Sequence, residues 1–310
     1  MTSPGGELEF VDWISRQAAD TNQILEVGIG DDAAVQRVTQ GQHVVVAKDV
    51  LMEGAHFEFE TATPELVGRK ALAVNLSDIA AMGARPVSVY IGLVLAKSRG
   101  IEFARRVDAG IRELANQYNV CIAGGDTNTW DGPLVISVTV LGEVAPNSAI
   151  QRNGAQPGDV LFVSGPLGGS LASGRHLTFE PRLELAQQLT SACKVNAMMD
   201  ISDGLALDCT RMLKASGAGA ILESSSIPIH ADVSFSLPTE QRLQHALHDG
   251  EDFELLIALS EEQVELLADS KLNTPLQRIG RVTADPGLFL QEGSGQLKLL
   301  EPRGYEHQFK

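Results

Sequence analysis

The chain has 310 residues, of which 44% are apolar and only 5% aromatic, so it can bury a sizeable core of mostly aliphatic side chains. Its 24 basic and 40 acidic residues give a net charge of −16, and the scattered basic residues exclude a basic nucleic-acid-binding face. No window approaches 18 uninterrupted apolar residues, and the N-terminus shows no signal-like segment. The three cysteines form no CxxC pair. We therefore expect a cytoplasmic protein with neither a membrane nor a nucleic acid as partner.

The first half of the chain predicts alternating helices and strands. Apolar spacing of three and four residues predicts helices over 7–19, 63–82 and 102–118. Thr63 is a suitable N-cap for the second helix, and Pro64 suits its first position. β-Branched runs predict strands over 43–47, 87–96, 120–123 and 134–144.

The second half begins after a polar, Gly- and Pro-marked turn at residues 153–159, and this turn predicts a domain boundary. We divide the chain into domains 1–150 and 151–310. Strands are predicted over 160–164, 220–223, 253–259 and 277–282, with helices over 204–216 and from Ser260 onward. Because both halves mix strands and helices, the predicted fold class is α/β or α+β.

Five short segments carry the aspartates of interest: four place aspartate beside glycine or directly after a predicted strand, and the fifth, residues 75–78, lies within the predicted helix 63–82. They are GIGDD (28–32), KD (48–49), NLSD (75–78), GGDT (124–127) and DISDG (200–204). Carboxylate oxygens are ligands that Mg²⁺ prefers, and glycine lets the backbone approach a ligand closely. The helix start at Asp203 and Gly204 is predicted to offer free N–H groups to a phosphate. Together these segments predict Mg²⁺ and a phosphorylated ligand, since crowded carboxylates need cations.

Each segment alone is more often a cap or a tight turn, because Asp and Gly are the commonest turn residues. Asp78 differs, since a carboxylate within an apolar, Ala-rich helix needs a partner or a ligand. Common alternatives are missing from the sequence: there is no P-loop, protein-kinase catalytic loop, GxSxG elbow, EF-hand or HExxH motif.

Several longer motifs occur in order along nearly the whole chain. They include GIGDDA (28–33), EGAHF (53–57), KALAVNLSDIAAMGA (70–84), DISDGL (200–205), GEDFEL (250–255) and GY (304–305). With these motifs the chain resembles the thiamine-monophosphate kinase family of the aminoimidazole ribonucleotide synthetase superfamily. The resemblance implies a two-domain fold, in which an N-terminal domain binds ATP and Mg²⁺ and its strands form a barrel shared with a second copy in a homodimer. The C-terminal domain would be α/β.

The implied reaction moves the γ-phosphoryl group of ATP directly onto thiamine monophosphate, giving thiamine diphosphate. The resemblance implies Mg²⁺ ligands at Asp32, Asp49, Asp78, Asp126, Asp200 and Asp203. It implies nucleotide contacts from Gly125, Asp126, Arg152 and Ser202, and a thiamine side formed by His56, Glu251 and Tyr305. No general base is assigned, because the attacking phosphate oxygen is already ionised.

One departure from the family pattern concerns the second aspartate turn. The family has Ser-Thr-Asp-Thr where this chain has AKDV at 47–50, so Lys48 replaces a hydroxyl beside Asp49. Lys48 would either supply positive charge and touch the phosphates, or mark a reduced metal set. The alternatives are therefore an ATP-using superfamily member with another acceptor and a catalytically weakened nucleotide-binding homologue. The segment from His176 to Arg182 receives no role from the sequence.

Overall fold

The computed structural model describes residues 7–18, 24–29, 31–268, 270 and 272–306. Residue 19 of the first predicted helix and Gly30 of the first aspartate turn lie outside these ranges. The chain divides into two compact units, Met1–Ile79 with Arg85–Asn147, and Ala80–Ala84 with Ser148–Lys310. Each unit mixes helices with a β-sheet, so the fold class is α+β. No helix in the described ranges is both long and apolar enough to cross a membrane.

The first unit is built on a four-stranded sheet. Its elements are α1 (Glu7–Ala18), β1 (Leu25–Val27), β2 (Val35–Gln36), β3 (His43–Met52), α2 (Pro64–Ala81), β4 (Arg85–Ala96), α3 (Gly100–Gln117), β5 (Cys121–Trp130) and β6 (Val135–Val144). The sheet order is β3-β6-β4-β5, antiparallel except for the parallel β4–β5 pair. The short strands β1 and β2 pair separately with each other.

The helices of this unit follow their apolar patterns. Helix α2 starts where predicted, and the Thr63 hydroxyl accepts the Leu66 N–H at 3.4 Å. It is buried on nearly all sides, as expected of a helix that is apolar all round. Helix α3 buries one face through Val107, Ile111 and Leu114.

Two strands are longer than the sequence predicted, and this corrects the placement of three site residues. Strand β3 continues to Met52 and β5 to Trp130. Asp49, Gly125 and Asp126 therefore lie inside strands and not in turns after them. The polar KD and GGDT segments hid these continuations, because strand propensity is low for Lys, Asp and Gly while the sheet ladder still holds them.

The second unit is built on a seven-stranded sheet. Its elements are β7 (Val160–Val163), α4 (Ser170–Ser173), a 3₁₀ turn (Arg175–Leu177), α5 (Leu183–Ala192), β8 (Ala197–Ile201), α6 (Leu205–Ser216), β9 (Gly219–Glu223), α7 (Thr239–His248), β10 (Glu254–Leu259), α8 (Glu261–Ala268), β11 (Gln277–Thr283), β12 (Gly287–Gln291) and β13 (Leu297–Leu299). The sheet order is β13-β12-β9-β11-β7-β10-β8, antiparallel except for β9–β12. Helix α6 packs on its main apolar core through Leu205, Cys209 and Met212.

Candidate active site

Two predicted metal ligands of the first unit, Asp49 of β3 and Asp78 of α2, are hydrogen-bonded to each other, and we call them the aspartate pair. Burial raises the pKa of Asp49, and the hydrogen bond to Asp78 opposes that rise. Two carboxyl groups can share a hydrogen bond only if one keeps a proton. A divalent cation between them would take the place of that proton.

The donor set of the aspartate pair fits Mg²⁺. This ion is usually bound by one or two carboxylates, with the remaining positions filled by water and substrate phosphate oxygens. Within the described ranges, no group of three or more His, Cys, Asp or Glu side chains lies close enough to hold a metal ion. One turn before Asp78, the buried Asn75 donates its side-chain amide N–H to the Ala71 carbonyl at 3.1 Å. Its Oδ1 has no hydrogen-bond partner among the described residues. Water or a cation commonly satisfies such an acceptor.

Within this chain, Asp126 does not lie close to the aspartate pair. The sheet register connects Asp126 through Gly92 and Ser137 to Val50, so these residues share one sheet face. Asp49 precedes Val50 and therefore points to the other face. In addition, β3 and β5 are separated by two strands, or about 14 Å at the usual strand spacing.

A cavity of about 260 Å³ lies between α1, α3, β4 and β5 of the first unit. Its walls are mostly apolar, and its lining includes Phe10, Ile14, Ile91, Leu93, Ile111 and Ile122. Gly125 and Asp126 also line it. The buried Asp108 adds a carboxyl whose pKa is raised by burial and which pairs with Arg112. Asp32 lies exposed in the connection between β1 and β2.

Lys48 points away from Asp49. Its ammonium donates to the Ser137 hydroxyl at 2.7 Å and to the Thr139 hydroxyl at 3.2 Å, both on the neighbouring strand β6. Adjacent residues of a strand face opposite sides of the sheet. The geometry therefore does not favour Lys48 as a source of charge beside Asp49.

His56 is held firmly in the turn after β3. Its Nδ1 accepts the Met52 N–H at 3.0 Å, so the neutral ring carries its proton on Nε2. The buried Lys70 of α2 donates to the His56 carbonyl at 2.7 Å. At the start of the same turn, Glu53 binds Arg99 at 2.7 Å.

In the second unit, three distant stretches of sequence meet. The Glu251 N–H donates to the Ser202 carbonyl at 2.7 Å, and the Tyr305 N–H donates to the Asp203 carbonyl at 3.0 Å. Four predicted site residues are thus brought together by backbone hydrogen bonds. Asp200 belongs to β8, where it pairs with Leu255 of β10.

Arg152 is exposed and lies in the connection that precedes β7. Its carbonyl accepts the Ser216 hydroxyl at 3.3 Å, which fixes the backbone beside the end of α6.

Asp208 is a residue of this region that sequence reasoning missed. It is fully buried, and its Oδ2 accepts the N–H groups of Ser202, Asp203 and Gly204 at 3.0, 2.9 and 3.2 Å. These N–H groups were predicted to be free for a phosphate, and that prediction is wrong because an internal carboxylate already occupies them. The available signal was an acidic residue in the first turn of the helix, where it complements the helix dipole.

Arg211 joins Asp208 to Asp203. Its Nη1 donates to Asp208 Oδ1 at 2.7 Å and also to Asp203. Burial raises the pKa of Asp208, and the hydrogen bonds from the backbone and from Arg211 oppose that rise. Asp203, which was predicted to bind metal, is thus paired with the Arg211 guanidinium.

Comparison with known proteins identifies two matching family models. Residues 30–144 match the model "AIR synthase related protein, N-terminal domain", and residues 156–292 match its C-terminal counterpart. A thiamine-monophosphate kinase of Rhodopirellula baltica is 41% identical over 97% of both chains.

Solved structures agree with these matches. The structure of thiamine-monophosphate kinase from Stenotrophomonas maltophilia has a TM-score of 0.81 and 33% identity, covering 92% of this chain and 96% of that one. A structure described as AaThiL complexed with AMPPCP and TMP has a TM-score of 0.76 and 28% identity over 99% of both chains.

Proposed function

Because the chain belongs to the thiamine-monophosphate kinase family, we propose that it transfers the γ-phosphoryl group of ATP to the phosphate of thiamine monophosphate. The bond between the β–γ bridging oxygen and the γ-phosphorus breaks, and a bond from the acceptor phosphate oxygen forms. The products are ADP and thiamine diphosphate. Within the molecule, the observation that carries this proposal is the aspartate pair, whose donor chemistry suits a cation between anionic substrates.

Both substrates are anionic and the chain carries a net charge of −16, so repulsion has to be overcome before they can meet. Mg²⁺, when bound, supplies the neutralising charge and orients the phosphates. Asp49 and Asp78 would hold it in the first unit. The remaining ligand candidates are Asp32 and Asp126 of the first unit and Asp200 and Asp203 of the second. Asp203 is the weakest of these candidates, because Arg211 already engages its carboxylate.

For the donor nucleotide, we propose that the cavity of the first unit takes the base. Its apolar walls suit a flat ring, and Gly125 and Asp126 place strand backbone at one side. Ser202 and Arg152 are proposed to contact the phosphates, since a guanidinium pairs well with phosphate oxygens.

For the acceptor, His56 presents an Nε2–H because its Nδ1 is occupied by the Met52 amide. That group can donate to a phosphate or to a ring nitrogen. Glu251 and Tyr305 are proposed to face the thiamine part, with Tyr305 half-exposed and able to stack. No side chain needs to remove a proton, because the acceptor oxygen is ionised at neutral pH.

A homodimer is proposed through the exposed face of β3. Val44, Val46, Val50 and Met52 all point outward there, and Val46 is 60% exposed. Several exposed apolar side chains on one strand face, here with Lys48 between Val46 and Val50, favour an interaction surface. The cytoplasm is proposed as the compartment, which agrees with three cysteines that form no disulfide in the described part of the chain.

A second candidate function is a nucleotide-binding homologue with weakened or altered catalysis. The sequence departure at Lys48 suggested it, but the Lys48 ammonium binds Ser137 and Thr139 on the face opposite to Asp49, which favours the first candidate. The direct test is to incubate the pure protein with ATP, Mg²⁺ and thiamine monophosphate and to separate the products chromatographically. We expect thiamine diphosphate in proportion to ADP. Absence of thiamine diphosphate, with ATP binding still seen by calorimetry, would support the second candidate.

A further inference from the structure

Four consecutive residues of the GEDFEL motif are each contacted by one short segment, residues 175–182, which we call the clamp. The contacts are Arg175 to Asp252 at 2.9 Å, His176 Nδ1 to Glu251 Oε2 at 3.4 Å, Phe179 stacked on Phe253 with ring centroids 4.3 Å apart, and Arg182 to Glu254 at 2.7 Å. Each residue from 251 to 254 thus has its own partner in the clamp. The clamp is the segment to which the sequence assigned no role.

The clamped residues have an unfavourable backbone that needs outside support. Glu251 has φ of 58° and Phe253 has φ of 51°, so both lie in the left-handed region. This conformation is unfavourable for a non-glycine residue and persists only when the surroundings enforce it. The backbone N–H groups of the same two residues bind the carbonyls of Ser202 and Ile201 at 2.7 and 2.8 Å. The left-handed backbone and these two hydrogen bonds therefore fix the position of Glu251 relative to the turn that carries Ser202.

The clamp is itself anchored. Asp252 is buried and accepts the Gly168 N–H at 3.0 Å with both carboxylate oxygens. Arg175 donates to the Gly168 carbonyl and to Asp232, each at 2.9 Å. His176 is itself buried, with 5% of its surface exposed. A residue with so little freedom can hold a partner in one place, because its own rotamer is fixed by packing.

We propose that the clamp positions the acceptor site and that His176 is a positioning residue, which acts through Glu251 on the binding of thiamine monophosphate. This inference rests on the proposed function, in which Glu251 faces the acceptor. Arg175, Phe179 and Arg182 fix the turn, while His176 contacts the carboxylate that would meet the substrate. His176 itself touches no reacting group.

The test compares His176→Leu with His176→Asn, which keeps a donor near the position of Nδ1. We expect His176→Leu to raise KM for thiamine monophosphate about tenfold, with kcat and KM for ATP within about twofold of wild type. His176→Asn should restore most of the loss. His245→Leu is the matched control, because His245 also contacts a carboxylate, Asp249, at 3.0 Å but is 43% exposed. It should leave all three parameters unchanged.

A double-mutant cycle with Glu251→Gln decides whether His176 acts through Glu251. The inference predicts that His176→Leu adds nothing to KM once Glu251 is replaced. It is overturned if the two effects multiply, or if His176→Leu leaves KM unchanged while Glu251→Gln raises it. An unchanged KM in Glu251→Gln would instead overturn the acceptor role of Glu251, and with it the role of His176.

Hydrogen exchange gives a readout that does not depend on the acceptor. The inference predicts faster exchange of the amides of residues 250–254 in His176→Leu than in His245→Leu. Equal exchange in the two variants would show that the clamp does not hold the turn. Wild-type protein that makes no thiamine diphosphate would overturn the proposed function, while the exchange result would still decide whether the clamp exists.

Discussion

The two units treat their functional aspartates differently. In the first unit, Asp49 and Asp78 are hydrogen-bonded to each other, and burial raises the pKa of Asp49. In the second unit, Asp203 and Asp208 are both engaged by Arg211. The carboxylates of the first pair thus contact each other, whereas those of the second pair share one guanidinium.

This difference distinguishes carboxylates suited to binding a cation from carboxylates that stabilise the fold. Carboxylates that contact each other suit a cation that arrives with the substrate, because the cation relieves the repulsion between two neighbouring negative charges. Carboxylates held by arginine and backbone N–H groups mainly shape a turn, and Asp208 does so for residues 202–204. The same residue type in similar Gly-containing motifs therefore serves two purposes. The following predictions test this contrast in order of expected effect.

The largest effect is expected for Asp78→Asn. Removing this charge from the aspartate pair should lower kcat by about a thousandfold or more, since Mg²⁺ would lose a ligand and the anionic substrates their neutralising charge. Kinase assays would measure the loss, and circular dichroism would establish that the variant is folded. Near wild-type turnover in folded Asp78→Asn would remove Asp78 from the cation site.

A large effect on stability, in contrast, is expected for Asp208→Ala in the second unit. Three backbone N–H groups would lose their acceptor, and Arg211 would lose one of its two carboxylate partners. We therefore expect the free energy of unfolding to fall by about 3 kcal/mol. Urea denaturation measures it. The control is Glu261→Ala, which breaks an exposed ion pair with Arg278 and should cost about 0–1 kcal/mol. Equal losses for the two variants would contradict a structural role for Asp208.

A smaller, pH-dependent effect is expected at Asp252. Burial raises its pKa to about 7 from the 3.8 of an unperturbed aspartate, although Gly168 and Arg175 favour its ionised form. The folded state then binds this proton more tightly than the unfolded state, so its contribution to stability is complete below pH 3.8 and is lost as the pH rises to 7. Asp252→Asn cannot titrate. Its destabilisation, measured by urea denaturation, should therefore be smaller at pH 8 than at pH 4, and a constant or increasing cost would contradict the raised pKa.

The smallest effect is expected for Lys48→Thr. Because the Lys48 ammonium binds hydroxyls of β6 on the face opposite to Asp49, the substitution should change kcat by less than about threefold. Steady-state kinetics at saturating Mg²⁺ measure it. A gain of tenfold or more would show that the hydroxyl belongs to the metal site after all.

The sequence predicted α1, α2, α3, α6 and α8 and the cap of α2, because these depend on residues close in the chain, but it did not predict α5 or α7. Thr63 and Pro64 started α2 where the structure has it, and the face of α3 carrying Val107, Ile111 and Leu114 is buried. It failed at the ends of β3 and β5, where polar segments follow apolar ones. There the neighbouring strands, and not local propensity, decide how far a strand extends.

Partners distant in sequence were not predictable from one chain. Nothing local indicated that residues 175–182 would meet residues 251–254. That arrangement depends on how strands β7 and β10 pair, which spacing alone does not determine. For Asp208, which contacts residues 202–204, the only local signal was its place in the first turn of α6. The family resemblance located the motifs, but which aspartates have arginine partners became visible only in three dimensions.

The most direct test of the contrast between the two units is to measure Mn²⁺ binding by electron paramagnetic resonance in the presence of AMPPCP. Wild type, Asp78→Asn and Asp203→Asn should be titrated under the same conditions. We predict that Asp78→Asn loses at least one bound ion per chain and that Asp203→Asn, which removes the partner of Arg211, retains that ion. Undiminished binding by Asp78→Asn, or an equal loss in both variants, would contradict the assignment of the cation site to the aspartate pair.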